Sequence, residues 1–233
     1  MTVQALIEPR LVSEITARIL LQTGAVLFNA QKPFIFTSGW ASPVYIDCRR
    51  IISYPALRQV LTGFAADAIE TRIGLANVDS VVGGEAAGIP FAAWIADALR
   101  LPMQFVRKKA KGFGRNAQVE GVLPEGTRAL LVEDLTTDGR SKINFCQALR
   151  RAGAQVDHIF VVFYYDIFEE SRRAVRDLGV TMHRLATWRD VLAVAKQSEY
   201  FDARTLSEVE RFLDHPADWS ARHGGLSEYP ASA

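Results

Sequence analysis

Two adjacent carboxylates follow an apolar run in the middle of the chain, and a short loop of small, hydroxyl-bearing residues comes directly after them. The run covers 129–132, the acids are Glu133 and Asp134, and the loop covers 135–141. Apolar residues at helical spacing follow, so the loop leads into a helix N-terminus, which favours a phosphate through its N–H groups and dipole. The two carboxylates would repel a phosphate, so they are expected to bind a neutral group beside it. The hydroxyls of a sugar can donate hydrogen bonds to them. The segment therefore predicts a sugar-phosphate site.

Neither of the two commonest nucleotide motifs is present: the chain lacks G-x-x-x-x-G-K-[ST], and it lacks G-x-G-x-x-G after a strand. The order of apolar strand, acid pair and small-residue loop instead resembles the phosphoribosyl pyrophosphate (PRPP) motif of type I phosphoribosyltransferases. The alternative is an ordinary strand–helix turn with two acids at a strand end. The resemblance implies an α/β fold, a parallel sheet flanked by helices, with a small hood built from the N-terminal segment.

A second small-residue loop, Gly-Gly-Glu-Ala-Ala-Gly at 83–88, follows another apolar run. It leaves the backbone open to anionic oxygens before a helix begins. Alone it is equally consistent with a tight strand–helix turn. Because PRPP carries phosphate at both ends, two such loops on one sheet edge predict that one binds the 5-phosphate and the other the pyrophosphate.

A basic segment, 107–115, places five cations in nine residues among glycines. Its composition alone favours a solvated, mobile loop. Contact with nucleic acid is a weaker alternative because Phe113 is its only aromatic residue. A third use is closure over a polyanion, where lysine and arginine stabilise the charge of a leaving pyrophosphate and water is expelled.

The composition of the whole chain limits the class of protein. With 233 residues and 49% hydrophobic content, the chain can bury one full core. A net charge of +1 argues against a general nucleic-acid or membrane-surface binder. Cys48 and Cys146 lack zinc-ligand spacing, and neither a signal-peptide core nor an apolar run of membrane-spanning length is evident. We therefore expect a soluble protein of the reducing cytoplasm.

Hydrophobic periodicity predicts the elements that position these segments. We expect helices near 12–23, 57–68, 88–100, 141–152 and 169–178, and buried strands at 78–82, 103–106, 128–132 and 156–163. The segment 34–52 is predicted to be extended, with a turn at Ser38-Gly39. The domain plan is 1–55 (N-terminal helix and hood), 56–195 (α/β core) and 196–233 (helical, partly flexible tail). Carboxyl ends of parallel strands meet at one edge, so the two loops are expected to meet there.

The stretch from Phe34 to Asp47 makes the resemblance more specific. It matches F-x-x-x-S-G-x-x-S-P-x-Y-x-D, a pattern of orotate phosphoribosyltransferases that purine salvage enzymes lack. The resemblance to that family runs from about 34 to 195. Trp40, in the Ser-Gly turn, is expected either to cover a bound base or to belong to the core.

The resemblance implies transfer of ribose 5-phosphate from PRPP to N1 of orotate in pyrimidine (UMP) biosynthesis. It implies Mg²⁺ held mainly by substrate phosphates, with no direct protein ligand, and a homodimer with shared active sites, without nucleic acid or membrane as partner. The residues it assigns are, for orotate, Tyr45, Ile46 and Thr137; for pyrophosphate, Glu85, Ala86, Ala87 and Gly88; for PRPP, Arg107, Lys108, Lys111, Glu133, Asp134, Leu135, Thr136, Thr137, Asp138, Gly139, Arg140 and Ser141; and, as catalytic residues, Lys111 and Asp134.

The chain departs from the family pattern at several positions. Thr37 replaces a frequent lysine, Ala86-Ala87 replaces Tyr-Lys, and Phe113 replaces a histidine. An arginine that binds the orotate carboxylate in many members is absent from 164–166, where Tyr-Tyr-Asp stands, and Arg140 occupies a position that is commonly glycine. Two alternatives stay open: a phosphoribosyltransferase for another base, and a PRPP-sensing regulator that has lost catalysis.

Overall fold

The strands form one large sheet and two small ones in the residues that the computed structural model describes, which are 8–110, 118–137, 139–198 and 200–228. The strands are β1 Val26–Phe28, β2 Phe34–Ile35, β3 Ala41–Ser42, β4 Val44–Ile46, β5 Ser80–Gly84, β6 Met103–Val106, β7 Val119–Glu120, β8 Arg128–Thr136, β9 Gln155–Tyr164 and β10 Thr181–Thr187. The large sheet has the order β10-β9-β8-β5-β6-β7, and only β7 runs antiparallel to its neighbour. The two small sheets pair β1 with β4 and β2 with β3, both antiparallel, and form the hood.

The α-helices cover the large sheet and join it to the hood. They are α1 Pro9–Gln22, α2 Pro55–Arg72, α3 Gly88–Leu99, α4 Arg140–Arg151, α5 Glu169–Asp177, α6 Trp188–Gln197, α7 Ala203–Asp214 and α8 Pro216–Arg222. Pro9, Pro55 and Pro216 each stand at the start of a helix, where the missing N–H costs nothing. The predicted parallel sheet with flanking helices is confirmed.

Side chains of β8 alternate between the two faces of the sheet. Ala129 and Leu131 belong to a core cluster with α4 residues such as Phe145, whereas Leu130 and Val132 belong to the larger cluster that contains helices α1 to α3 and the hood. By the same alternation, Glu133 lies on the face of Ala129 and Leu131, and Asp134 lies on the face of Leu130 and Val132. None of the described helices is both long and apolar enough to cross a bilayer.

Three details of the predicted elements were wrong. Strand β8 continues to Thr136, because β9 extends to Tyr164 and supplies ladder partners for the acid pair and its successors. Strand β10 was not predicted, since its mixed sequence shows no clear alternation. Residues Cys48–Ser53 form a 3₁₀ helix rather than extended chain, and the Asp47 carboxylate accepts the Arg49 N–H at its start.

The C-terminal segment packs against the hood. Trp219 is buried against Phe212 in the main core. The Ser220 hydroxyl accepts the Ala41 N–H at 3.0 Å, and the Leu226 N–H donates to the Gly39 carbonyl at 3.0 Å. The described part of the tail therefore supports the Ser-Gly turn from behind.

Candidate active site

A cavity of about 560 Å³ opens at the carboxyl edge of the large sheet. Three regions surround it: the end of β8 with the start of α4, the loop between β5 and α3, and the hood. The lining residues are Phe36, Thr37, Ser38, Tyr45, Ile46, Asp47, Arg49, Glu85, Ala86, Ala87, Lys108, Glu133, Asp134, Leu135, Thr136, Thr137, Arg140, Ser141, Lys142 and Phe145. The fold thus brings together segments that lie up to about a hundred residues apart in the sequence.

The acid pair is buried and its two side chains have different surroundings. Glu133 is 6% exposed, and its Oε2 accepts from the Lys142 Nζ of α4 at 3.0 Å. Asp134 is 7% exposed and lies on the hood side, where its charge acts on Cys48 and Arg49. Glu133 Oε1 is buried and has no hydrogen-bond partner among the described residues.

Burial changes the acidity of Asp134. Desolvation, followed by the neighbouring Glu133 charge, raises the pKa of Asp134 from 3.8 to about 6, although Lys142 acts in the opposite direction. The carboxyl is therefore more readily protonated than an exposed aspartate. At neutral pH the negative charge of Asp134 therefore lowers the stability of the folded protein. A hydroxyl donor or a developing positive charge in the cavity would reduce this loss of stability.

The turn between β8 and α4 provides an anion-binding surface. Gly139 has φ +81°, a conformation that favours glycine, and it is the N-cap of α4. The first N–H groups of α4 therefore point toward the cavity edge together with the positive end of its dipole. The Thr136 hydroxyl is buried there and has no partner among the described residues.

The loop between β5 and α3 passes close to the acid pair. A side-chain carbon at Gly84 would overlap Glu133 Oε1, and one at Gly88 would lie 2.5 Å from the Val132 carbonyl oxygen. Glycine is therefore required at both positions by the close approach of the two segments. A cis peptide bond joins Glu85 to Ala86, and Glu85 Oε2 accepts the Lys108 N–H at 2.8 Å.

The hood supplies the remaining wall. Tyr45 lies beside Phe34 and Phe36, with ring centroids 5.6 and 6.3 Å apart. The Ile46 N–H donates to the buried Tyr165 hydroxyl at 3.4 Å, so Tyr165 supports the backbone of the hood. The wall is partly aromatic and suits a flat ring.

Most of the residues assigned from the sequence line the cavity, namely Tyr45, Ile46, Glu85, Ala86, Ala87, Lys108, Glu133, Asp134, Leu135, Thr136, Thr137, Arg140 and Ser141. Gly88 and Gly139 begin the adjoining helices without lining it. Arg107 pairs with Glu120 at 3.3 Å, away from the lining. Lys111, Phe113 and Asp138 lie outside the described residues.

The sequence left the place of Trp40 open, and the structure shows it. Trp40 is buried against Phe168, with ring centroids 4.8 Å apart, so its place is in the core and not over the cavity. The tyrosines that replace the family arginine are both buried, and Asp166 pairs with Arg172 at 2.8 Å. Residues 164–166 therefore supply no cation to the cavity.

Three charged lining residues were not assigned from the sequence: Asp47, Arg49 and Lys142. Arg49 Nε donates to Asp47 Oδ1 at 2.6 Å, which leaves the terminal nitrogens of its guanidinium able to form a bidentate pair with a carboxylate. Arg49 lies in the 3₁₀ helix that follows Asp47, where the alternation of a strand no longer applies. The sequence pattern therefore did not indicate that the Arg49 side chain lines the cavity. In the sequence, Lys142 is indistinguishable from an exposed lysine in the first turn of a helix.

The lining is compatible with Mg²⁺, which prefers hard oxygen ligands and keeps several waters or substrate phosphates in its shell. The Glu85 carboxylate lines the cavity in the loop expected to face the pyrophosphate. In the described part of the chain, no cluster of three or more His, Cys, Asp or Glu side chains forms a protein-only metal site. The donor set fits an ion that arrives with a pyrophosphate-bearing substrate.

Comparison with known proteins agrees with this geometry. Residues 50–185 match the model of the phosphoribosyl transferase domain. Orotate phosphoribosyltransferases of Agrobacterium fabrum and Roseobacter denitrificans are 52% and 53% identical, covering 95% and 89% of this chain and 95% and 92% of theirs. The crystal structure of orotate phosphoribosyltransferase from Aeropyrum pernix superposes with a TM-score of 0.67 at 30% identity, covering 80% of this chain and 99% of that one. With its acid pair, two phosphate-ready helix starts and aromatic hood around one cavity, the chain belongs to the orotate phosphoribosyltransferase family.

Proposed function

We propose that this protein transfers ribose 5-phosphate from PRPP to N1 of orotate, giving orotidine 5′-phosphate and pyrophosphate, a step of de novo pyrimidine synthesis. The observation that carries the proposal is the single cavity in which the acid pair, the two loops and the hood meet. Two buried free cysteines suit the reducing cytoplasm as its place of action.

Each end of PRPP has its own binding segment. The N-terminal turn of α4, with Thr136 to Ser141, receives the 5-phosphate, and Arg140 at the first helical position adds a cation. The loop from Glu85 to Gly88 faces the pyrophosphate. Mg²⁺, when bound, neutralises pyrophosphate charge as it grows on the leaving group.

The acid pair serves the ribose between these two ends. Glu133 and Asp134 accept hydrogen bonds from the 2- and 3-hydroxyls. Cleavage of the C1–O bond gives the ribose ring oxocarbenium character, and a negative Asp134 stabilises that charge more than it stabilises the ground state. Its position on the hood side of β8, near the nucleobase wall, is consistent with that role.

Orotate fits between the hood and β8, against Tyr45, the Ile46 backbone and Thr137. The carboxylate that distinguishes orotate from uracil requires a cation. We assign Arg49 to it, because Arg49 lies in the same hood segment as Tyr45 and Ile46, whereas Arg140 begins the helix at the phosphate end. The absence of the family arginine at 164–166 then has a structural replacement.

The basic segment completes the site in this proposal. Lys108 lines the cavity, and we place Lys111 over the leaving pyrophosphate as a catalytic cation. Arg107, whose side chain pairs with Glu120 in its own subunit, is proposed to act at the site of a second copy, so the working unit is a homodimer with shared sites.

The test is turnover of purified protein with PRPP and Mg²⁺, followed by loss of orotate absorbance, with uracil and adenine as alternative bases. Orotate alone should react. Reaction with another base would favour the broader phosphoribosyltransferase alternative, and PRPP binding without any turnover would favour the sensor.

Arg49→Gln sharpens the assignment of the base. Losing a charged hydrogen bond costs about 1.5–3 kcal/mol, so the KM for orotate should rise roughly 10- to 100-fold while the KM for PRPP changes little. Arg18→Gln, on α1 and paired with Glu14 at 2.8 Å, is the matched control and should leave both constants unchanged. An equal rise in both KM values would contradict the role of Arg49.

A further inference from the structure

Lys142 is a buried cation in the first turn of α4. Its residue is 4% exposed, and lysine is almost never buried to this degree unless its charge is paired. The ammonium donates to Glu133 Oε2 at 3.0 Å, the Leu135 carbonyl at 2.6 Å and Ser141 Oγ at 3.2 Å. These three acceptors match the three protons of an ammonium group.

The three acceptors come from both sides of the phosphate-binding turn. Leu135 stands before the turn on β8, and Ser141 stands after it on α4. Glu133 is the buried acid that faces the same side of the sheet as α4. One ammonium therefore links the strand, the helix and the acid pair.

The orientation of Glu133 depends on this contact. Its Oε1 has no hydrogen-bond partner among the described residues, and Oε2 is held by Lys142. Both groups are nearly fully buried, with side-chain exposures of 5% and 9%. Removing the lysine would leave a buried carboxylate without compensation, which is strongly unfavourable.

We propose that Lys142 is a positioning residue for the transfer reaction: it holds the Glu133 carboxylate in place as an acceptor for a ribose hydroxyl. The inference rests on the proposed function for the identity of the ligand, PRPP. It assigns to a helix residue beyond the acid-pair motif a role in binding the ribose phosphate.

The surroundings of Asp134 supply a signature that a merely structural lysine would not give. Asp134 is surrounded by Glu133 from its own strand, Lys142 from α4, and Asp47, Cys48 and Arg49 from the hood segment. Lys142 opposes the upward shift of the Asp134 pKa that burial and Glu133 cause. Without Lys142, the pKa of Asp134 rises further, and the acid limb of activity moves to higher pH.

The experiment measures Lys142→Met for PRPP affinity by calorimetry with Mg²⁺ and for kcat/KM against pH. We expect PRPP binding and kcat/KM to fall roughly a hundredfold, with the acid limb displaced upward by roughly one pH unit. Lys196→Met, which breaks an exposed pair with Glu210 at 2.7 Å, is the control and should change neither. Unchanged PRPP affinity and an unmoved acid limb in folded Lys142→Met would overturn the proposal.

A double variant covers the case in which Lys142→Met fails to fold. Glu133→Gln/Lys142→Met removes both charges together, and it should have the same PRPP affinity as Glu133→Gln alone, because the lysine acts through Glu133. A PRPP affinity well below that of Glu133→Gln alone would contradict the proposal. If wild-type protein binds PRPP but transfers it to no base, the proposed function fails, while the affinity measurements still decide the role of Lys142.

Discussion

The two ends of the large sheet treat polar groups in opposite ways. At the amino end, the Ser80 hydroxyl bonds to the Gln104 side chain, whose amide donates to the Val122 carbonyl at 2.9 Å. Arg128 at the start of β8 donates to Asp79 from both its backbone and its guanidinium. These groups satisfy one another within the protein.

At the carboxyl end, the same strand β8 carries buried atoms that the described protein leaves without partners. Glu133 Oε1 and Thr136 Oγ1 have none, and Asp134 is a buried carboxylate with a raised pKa. An unsatisfied buried polar group costs about 1–3 kcal/mol. Since the chain pairs such groups at the other end, the difference indicates that a ligand completes the bonding at the cavity.

Asp134→Asn tests this contrast with the largest expected effect. The isosteric amide cannot stabilise a positively charged ribose, so kcat/KM should fall by roughly 10²- to 10³-fold. Stability should move in the opposite direction. A pKa raised from 3.8 to about 6 corresponds to about 3 kcal/mol of destabilisation at pH 8, which the amide removes. Steady-state kinetics and denaturant unfolding at pH 8 measure both effects.

Asp79→Asn is the control from the amino end. Asp79 is exposed and paired with Arg128, so its loss should lower stability slightly and leave kinetics unchanged. If Asp134→Asn were both less stable and fully active, the comparison between the two ends would be wrong.

Gly84→Ala tests the close packing at the carboxyl end. The new methyl would overlap Glu133 Oε1 and lie 2.7 Å from Glu133 Cδ and 2.8 Å from Phe145 Cε2. Overpacking of this kind costs about 1–3 kcal/mol, and displacement of Glu133 should raise the KM for PRPP. Thermal unfolding and PRPP titration provide the measurements.

Gly63→Ala is the matched substitution in open space. A methyl there meets no atom within 4 Å, and Gly63 lies inside α2, so stability should rise by about 0.5–1 kcal/mol with kinetics unchanged. Equal responses of Gly84→Ala and Gly63→Ala would show that the loop can move away from the acid.

The sequence predicted the fold well wherever one signal was strong. Helix α2 was indicated by spaced apolar residues after Pro55, and β9 by a continuous apolar run. Strand β10 was missed because it lies at the sheet edge and alternates poorly. The end of β8 was placed four residues too early, because acids and threonines resemble a loop unless the neighbouring strand is known to continue beside them.

The site was predictable where residues are adjacent in sequence and less so where the fold brings them together. The acid pair, both loops and Tyr45 follow local patterns, and they line the cavity. Arg49 and Lys142 follow no pattern, since an arginine in a short 3₁₀ helix and a lysine in a helix are usually solvated. Only the packing of α4 on β8 shows that Lys142 is buried against Glu133.

A pH series compares how the two ends of the large sheet respond to acid. Near the amino end, His183 Nε2 lies 3.1 Å from His158 Nδ1, and burial, aided by the His158 and Arg72 charges, lowers the pKa of His183 from 6.5 to about 4. Between pH 4 and 6.5 the unfolded chain binds more protons at this residue, so its contribution to stability is lost as pH falls. Asp134 has the opposite sign: between pH 4 and 6 the folded protein binds more protons, and stability falls as pH rises. Unfolding of wild type, His183→Gln and Asp134→Asn at several pH values from 4 to 8 separates the two contributions.

Relative to wild type, His183→Gln should gain stability toward pH 4, whereas the stability advantage of Asp134→Asn should disappear there. His183→Gln should keep full activity at pH 8, because residue 183 lies near the amino ends of the strands and the cavity lies at their carboxyl ends. Stability curves that stay parallel for all three proteins would show that neither buried group titrates as the packing implies.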